Sequence, residues 1–124
     1  MKIIAVDFDN CLSLHGKYPI PGEPNTKLFE YLINRQKDGD RIILWTCREG
    51  SDLDHAFHFC RANGLLPDHV NENDPSMIQK FGNDSRKIFA HLYIDDCCKT
   101  PWEILEYKPK EKPVLPTRKA KIVR

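Results

Sequence analysis

The chain has no long apolar run. Its longest, such as Ile3 to Val6, is about four residues, far short of the roughly 18 that a membrane-spanning helix needs. No basic stretch followed by an apolar core stands at its start, so no secretory leader is expected. The five cysteines (Cys11, Cys47, Cys60, Cys97, Cys98) are odd in number and lack framework spacing, which argues against a disulfide scaffold. A reducing, cytoplasmic setting is the expectation. Internal repeats and low-complexity tracts are also missing. What remains is 124 residues with 40% apolar and 30% charged side chains, the make-up of one globular domain whose core needs no staple.

Net charge is +1 but unevenly spread. Residues 108–124 hold seven Lys/Arg and one Glu, and so carry +6, which leaves −5 on residues 1–107. Three of the nine prolines (Pro109, Pro113, Pro116) fall in the same stretch, so it reads as a docked or disordered basic tail on an acidic domain spanning 1–107. No nucleic-acid partner is expected from it.

Short β-branched runs alternate with helical patterns. Residues 2–8 (KIIAVDF) form an apolar strand that ends abruptly in polar residues, as a buried parallel strand does where it opens into a site. Residues 13–25 hold two Gly and three Pro and read as a loop or small flap, with His15, Lys17 and Tyr18 available to touch a ligand. Asn25 caps a helix over 26–38 that Gly39 ends. Residues 41–46 (RIILWT) repeat the strand pattern, and Ser51, followed by Asp52 and Asp54, reads as the cap of a second helix. A short strand is expected near His69 and Val70, then a polar corner over 71–75, a weakly patterned stretch over 76–90, and a strand over 91–95 (HLYID). Pro101 opens a final helix through Trp102, Ile104 and Leu105. Trp45 and Trp102 are read as packing residues. The class that follows is α/β: a Rossmann-like three-layer sandwich around a mostly parallel sheet, with a minimal flap and no cap domain.

Ligands of such sheets bind beyond the carboxyl ends of the strands. That edge gathers Asp7, Asp9 and Asn10 from the first strand and Thr46, Cys47 and Arg48 from the second. The third adds Asn71 and Asn73, and the last adds Asp95 and Asp96. Four carboxylates so close repel one another unless a cation neutralises them, and an all-oxygen cluster suits Mg²⁺. Asn10, Cys47, Arg48, Asn71 and Asn73 are candidate substrate contacts. Cys11, Cys47 and Cys97 sit beside these residues, either as small fillers or as thiols open to oxidation and Zn²⁺.

In this order, Asp7-Phe8-Asp9-Asn10 after an apolar strand, Thr46 ending the second, a lysine before the last and Asp95-Asp96 closing it resemble the haloacid dehalogenase-like (HAD) superfamily of phosphohydrolases, over about Lys2 to Leu105. The resemblance implies hydrolysis of a phosphomonoester through an aspartyl-phosphate, the substrate being a phosphorylated small molecule or macromolecule. Asp7 would be the nucleophile and Asp9 the general acid and base. Thr46 would hold a phosphoryl oxygen, and Asp95, supported by Asp96, would bind Mg²⁺ with the Asp7 carboxylate and the Asp9 carbonyl. Lys87 is the expected active-site lysine, which requires residues 84–91 to turn back to the carboxyl edge; Lys80 is the substitute. Many members read DxDGT, whereas here Asn10 and Cys11 take the last two places; Asn tolerates the backbone angles that Gly would supply. Capless members have sites open to macromolecules or closed by a neighbouring subunit, so a homo-oligomer is a possible partner. Two other readings stand beside this one. A receiver-type phosphoacceptor is disfavoured because its acidic pair comes first in the chain. A non-catalytic or weakly catalytic metal- or phosphate-binding interaction domain would show no turnover.

Overall fold

The computed structural model describes residues 1–106 and 108, so nearly all of the expected basic tail lies outside the described residues. The strands are β1 (Ile3–Val6), β2 (Ser13–Leu14), β3 (Glu23–Pro24), β4 (Arg41–Leu44), β5 (His69–Val70) and β6 (Leu92–Ile94). The helices are α1 (Thr26–Lys37), α2 (Gly50–Ala62), α3 (Pro75–Phe81) and α4 (Pro101–Leu105). Four strands make one parallel sheet in the order β5-β4-β1-β6; β2 and β3 pair antiparallel as a separate hairpin. This is the expected α/β architecture, and no inserted domain interrupts the described residues.

The chain steps outward from β1 to β4 to β5, then returns past both to place β6 on the far side of β1. Crossovers of parallel strands keep one hand, so reversing direction puts the returning connection on the opposite face. The two cores show it. Ile4, Val6, Ile42 and Leu44 point to one face and pack with Phe29 and Leu32 of α1 and Ala56 and Cys60 of α2. Ile3, Ala5 and Ile43 point to the other face, where Ile88, Ala90 and the half-buried Met77 of α3 cover them. The second face is therefore thinner, covered by a seven-residue helix and the irregular segment that follows it.

Local signals hold where they depend on neighbours in sequence. Asn25 caps α1, accepting from the Leu28 N–H at 3.3 Å, and Gly39 follows the helix with φ +99°. Thr100 and Glu103 form a reciprocal capping box on α4, with Pro101 as its first residue. Ser51 does not cap α2: it lies within the helix, which starts at Gly50, two residues earlier than expected, behind Glu49, which makes no side-chain cap bond. Trp102 on α4 is 38% exposed and joins neither core among the described residues, whereas Trp45 packs against the second core. The flap is tighter than a loop. An added Cβ on Gly22 would stand 2.0 Å from the Leu14 carbonyl oxygen, so only glycine lets these two backbones meet.

The polar corner over 71–75 becomes the start of α3, a helix the sequence pattern did not announce. Its cap is the buried Asp74, which accepts from the Ser76 N–H (2.9 Å) and hydroxyl (2.6 Å) and pairs with Arg41 (2.9 Å) and His69 (3.1 Å). Burial pushes the Asp74 carboxyl up, but the bonds from Ser76 and His69 and the Arg41 charge outweigh it, bringing the group down to about 2. A depressed carboxyl contributes stability above its unfolded value of about 4, and that stability is lost as pH falls toward 2. Asp74→Asn is expected to cost roughly 1–2 kcal/mol at pH 7. Urea melts should show the gap closing as the pH approaches 2; a gap that persists there would assign the loss to packing.

Candidate active site

Backbone bonds carried one residue past each strand align the carboxyl edge. The Asp7 N–H donates to the Ile94 carbonyl (2.9 Å), Trp45 to Val6 (2.8 Å) and Asn71 to Leu44 (2.9 Å). The loop after β1 then wraps around one acceptor, the Phe8 carbonyl, which takes the N–H groups of Cys11, Leu12 and Ser13. Phe8 is fully buried and meets Phe59 of α2 edge to face, centroids 5.4 Å apart, which anchors that loop on the first core. Asn10 has φ +62°, the left-handed turn for which an asparagine serves in place of glycine.

Two adjoining clefts open here. One, of about 370 Å³, is lined by Asp7, Asp9, Asn10, Thr46, Asp96 and Cys97 together with Ser13, Gly16 and Tyr18 of the flap and Cys47. The second, of about 380 Å³, shares Asp7, Thr46, Cys47, Asp96 and Cys97 and adds Trp45 and Asp95. The edge thus brings together Asp7, Asp9, Asn10, Thr46, Cys47, Asp95 and Asp96. Burial, with the charges of Asp95, Asp96 and Asp9 adding to it, pushes Asp7 up to about 6. Ligand atoms of Asp7, Asp96 and Cys11 lie within 4.8 Å of one another, as do those of Asp95, Asp96 and Cys97. Asp96, which the resemblance casts in support, is common to both groups, while one Asp95 oxygen accepts from the Cys97 N–H at 2.9 Å.

The donor chemistry fits a hard cation. Asp7, raised by burial first and by three neighbouring carboxylates in addition, is relieved by a divalent ion, and oxygen donors suit Mg²⁺. Each of the two groups also holds one thiol, Cys11 or Cys97. Burial and the three carboxylates push Cys11 up to about 12, and Asp96 raises the exposed Cys97, so both stay as thiols near neutral pH. The described cysteines are free; Cys47 and Cys97 are exposed and are not buried fillers, whereas Cys11 is buried.

Other sequence-based candidates sit differently. Arg48 does not reach the cleft. It is 2% exposed and directs its guanidinium to Asp9, with Nε to Oδ2 at 2.9 Å and Nη2 to Oδ1 at 2.8 Å, and to the Pro19 and Asp52 carbonyls. Asn71 braces Thr46, donating to its carbonyl (2.9 Å) and accepting its N–H (2.8 Å), while the Thr46 hydroxyl accepts the Arg48 N–H (3.1 Å). Asn73 is buried and ties Asp84, Ser85 and Phe89 together, so its amide is spent on structure. The segment over 84–88 does return to the carboxyl edge, where Asp84, Ser85, Arg86 and Ile88 line a cleft of about 470 Å³ with Trp45, Thr46, Asn71, Glu72 and Asn73. Lys87 faces another way. Its ammonium lies 5.6 Å from the Tyr93 ring centroid, and it lines a cavity on the second face that shares no residue with the acidic clefts. Lys80 lies 5.8 Å over the Phe81 ring and lines none of these clefts. Arg86 is the cation that sequence reasoning missed; a second basic residue beside Lys87 was the only signal for it.

No helix among the described residues is long and apolar enough to cross a membrane. No family model matches the sequence, and no curated protein matches it either. A solved structure, that of a conserved protein from Bacteroides thetaiotaomicron, is similar at 37% identity with a TM-score of 0.65, over 84% of this chain and 85% of that one. At that identity and coverage, the chain belongs to the family of this conserved protein from Bacteroides thetaiotaomicron.

Proposed function

We propose that the protein is a Mg²⁺-dependent phosphomonoesterase of the HAD type that works through an aspartyl-phosphate on Asp7. The observation that carries the reading is a pair of adjoining clefts that share Asp7, Thr46 and Asp96, with Asp9 lining one and Asp95 the other, and with Asp7 raised by burial and by its acidic neighbours. An Asp7 oxygen attacks phosphorus as the ester P–O bond breaks, and Asp9 gives its proton to the departing oxygen. Water then loses a proton to Asp9 as its oxygen attacks the same phosphorus. The bond to Asp7 breaks, releasing inorganic phosphate and restoring the carboxylate. Asp7, Asp95 and Asp96 would hold Mg²⁺, which supplies the positive charge that lets an anionic nucleophile approach a phosphate. Thr46, fixed by Asn71 on its backbone and by the Arg48 N–H on its hydroxyl, suits a phosphoryl oxygen contact. Arg86 is the cation best placed to add to that charge on the Thr46 side.

The test is hydrolysis of p-nitrophenyl phosphate with and without Mg²⁺ by the wild type and Asp7→Asn, followed by a panel of phosphorylated metabolites. Magnesium-dependent turnover that disappears in the variant is expected. A wild type that binds Mg²⁺ and phosphate but turns over nothing would leave the binding-domain reading in its place.

A further inference from the structure

The guanidinium of Arg48 is the most enclosed positive charge among the described residues. Its side chain is 1% exposed, against 37% for the Asp9 side chain that it grips. Its Cζ lies 4.9 Å from the centroid of the Phe8 ring and 4.8 Å from that of Tyr18. Nε and Nη2 meet the two Asp9 oxygens as a fork, and Nη1 donates to the carbonyls of Pro19 (2.8 Å) and Asp52 (3.2 Å). Two of these partners, Tyr18 and Pro19, belong to the flap, and the Tyr18 hydroxyl donates in turn to Asp52 at 3.2 Å. A surface ion pair needs none of this enclosure. A planar fork packed against two rings fixes the plane of the carboxylate it holds, which a point charge cannot do.

We infer that Arg48 is a positioning residue for protonation of the leaving group: it sets the Asp9 carboxyl toward the cleft and, through Tyr18 and Pro19, makes that setting depend on the flap. The inference rests on the phosphatase reading above. Each Asp9 oxygen spends one lone pair on Arg48 and keeps another for the proton that passes to the departing ester oxygen. Arg48 stands behind Asp9 and does not line the cleft, so it acts through Asp9. Tyr18, itself exposed, packs its ring against the guanidinium, and loss of that ring opens the guanidinium to water.

The dependence on leaving group separates this role from a structural one. Nitrophenolate departs without a proton, whereas the alkoxide of an alkyl phosphate needs one. The value of kcat/KM covers only the steps through that departure, so the later duty of Asp9 as base does not enter. The experiment measures kcat/KM on p-nitrophenyl phosphate and on glycerol phosphate for the wild type, Asp9→Asn, Arg48→Met, Arg48→Lys and Tyr18→Ala, with folding checked by circular dichroism. The ratio of the two values is expected to rise by about 100-fold in Asp9→Asn and by at least about 10-fold in Arg48→Met. A smaller rise is expected in Arg48→Lys, which keeps the charge with a single donor group, and about 3-fold in Tyr18→Ala. Tyr18 is exposed, so its variant remains a test even if Arg48 tolerates no change. A wild type that hydrolyses neither ester overturns the phosphatase reading and this inference with it. Turnover with an unchanged ratio in every folded variant of Arg48 and Tyr18 overturns this inference alone.

Discussion

Asp7→Asn is expected to lower the proposed phosphatase turnover by roughly 10⁴-fold or more while raising the melting temperature of the metal-free protein. The two effects share one cause. Burial and three neighbouring carboxylates hold Asp7 at about 6, above the 3.8 of an isolated aspartate, so ionising it in the folded state costs free energy. For a group raised in this way, the stability it contributes is complete below about pH 4 and is lost as pH rises through about 6. At pH 8 the wild type carries that penalty in full and an asparagine carries none. Discounted for partial exposure, the gain is about 1–2 kcal/mol, or roughly 4–8 °C for a domain of this size. Thermal melts in EDTA at pH 8 and pH 4 check it: the variant should be the more stable at pH 8, with the gap closing at pH 4. Saturating Mg²⁺ should restore the wild type and not the variant, because only the wild type keeps the Asp7 carboxylate that the ion neutralises. A variant that melts lower than the wild type at pH 8 in EDTA would show that the Asp7 carboxylate is stabilised in place and is not a strained group awaiting a cation.

The residues legible in the sequence are those whose partners are close along the chain or whose position follows from strand order. Asn25 caps the helix it precedes, and Asn10 takes the left-handed turn. Asp7, Thr46 and Asp95 reach one edge because a parallel sheet puts the ends of its strands together. What stayed hidden depends on side chains meeting across long separations. Arg48 and Asp9 are 39 residues apart, and nothing in either stretch marks the arginine as a partner for a neighbouring acid and not for a ligand. Asn71 and Thr46 are 25 apart, and Asn73 reaches Phe89 across 16. Each asparagine offers the donors and acceptors of a binding residue, and the fold spends them on bracing. Helix α3 was obscure because its cap works through Arg41 and His69 as well as through its own first turn. Lys87 shows the limit of motif order: the chain returns to the carboxyl edge there as required, but it presents Arg86 to the cleft beside Thr46 and turns Lys87 over Tyr93.

Arg48→Ala is expected to cost about 3 kcal/mol of stability, a large share of what a domain of this size has. Three losses combine. The packing against Phe8 and Tyr18 is left with a void beside a fully buried phenylalanine. The Pro19 and Asp52 carbonyls lose the Nη1 donor. Asp9 loses both bonds of a charge-assisted fork, although its partial exposure lets water replace part of them, which holds the total below that of a wholly buried pair. Arg48→Met refills the void without restoring the bonds, and so should recover about 1 kcal/mol of the loss. Urea unfolding of the single variants, together with the Arg48→Met and Asp9→Asn double variant, isolates the ion pair, with an expected coupling of about 1–2 kcal/mol. High salt should change that coupling little, since the Arg48 side chain is only 1% exposed. A loss below about 0.5 kcal/mol in Arg48→Ala would mean that the flap and the Asp9 loop hold their places without the arginine.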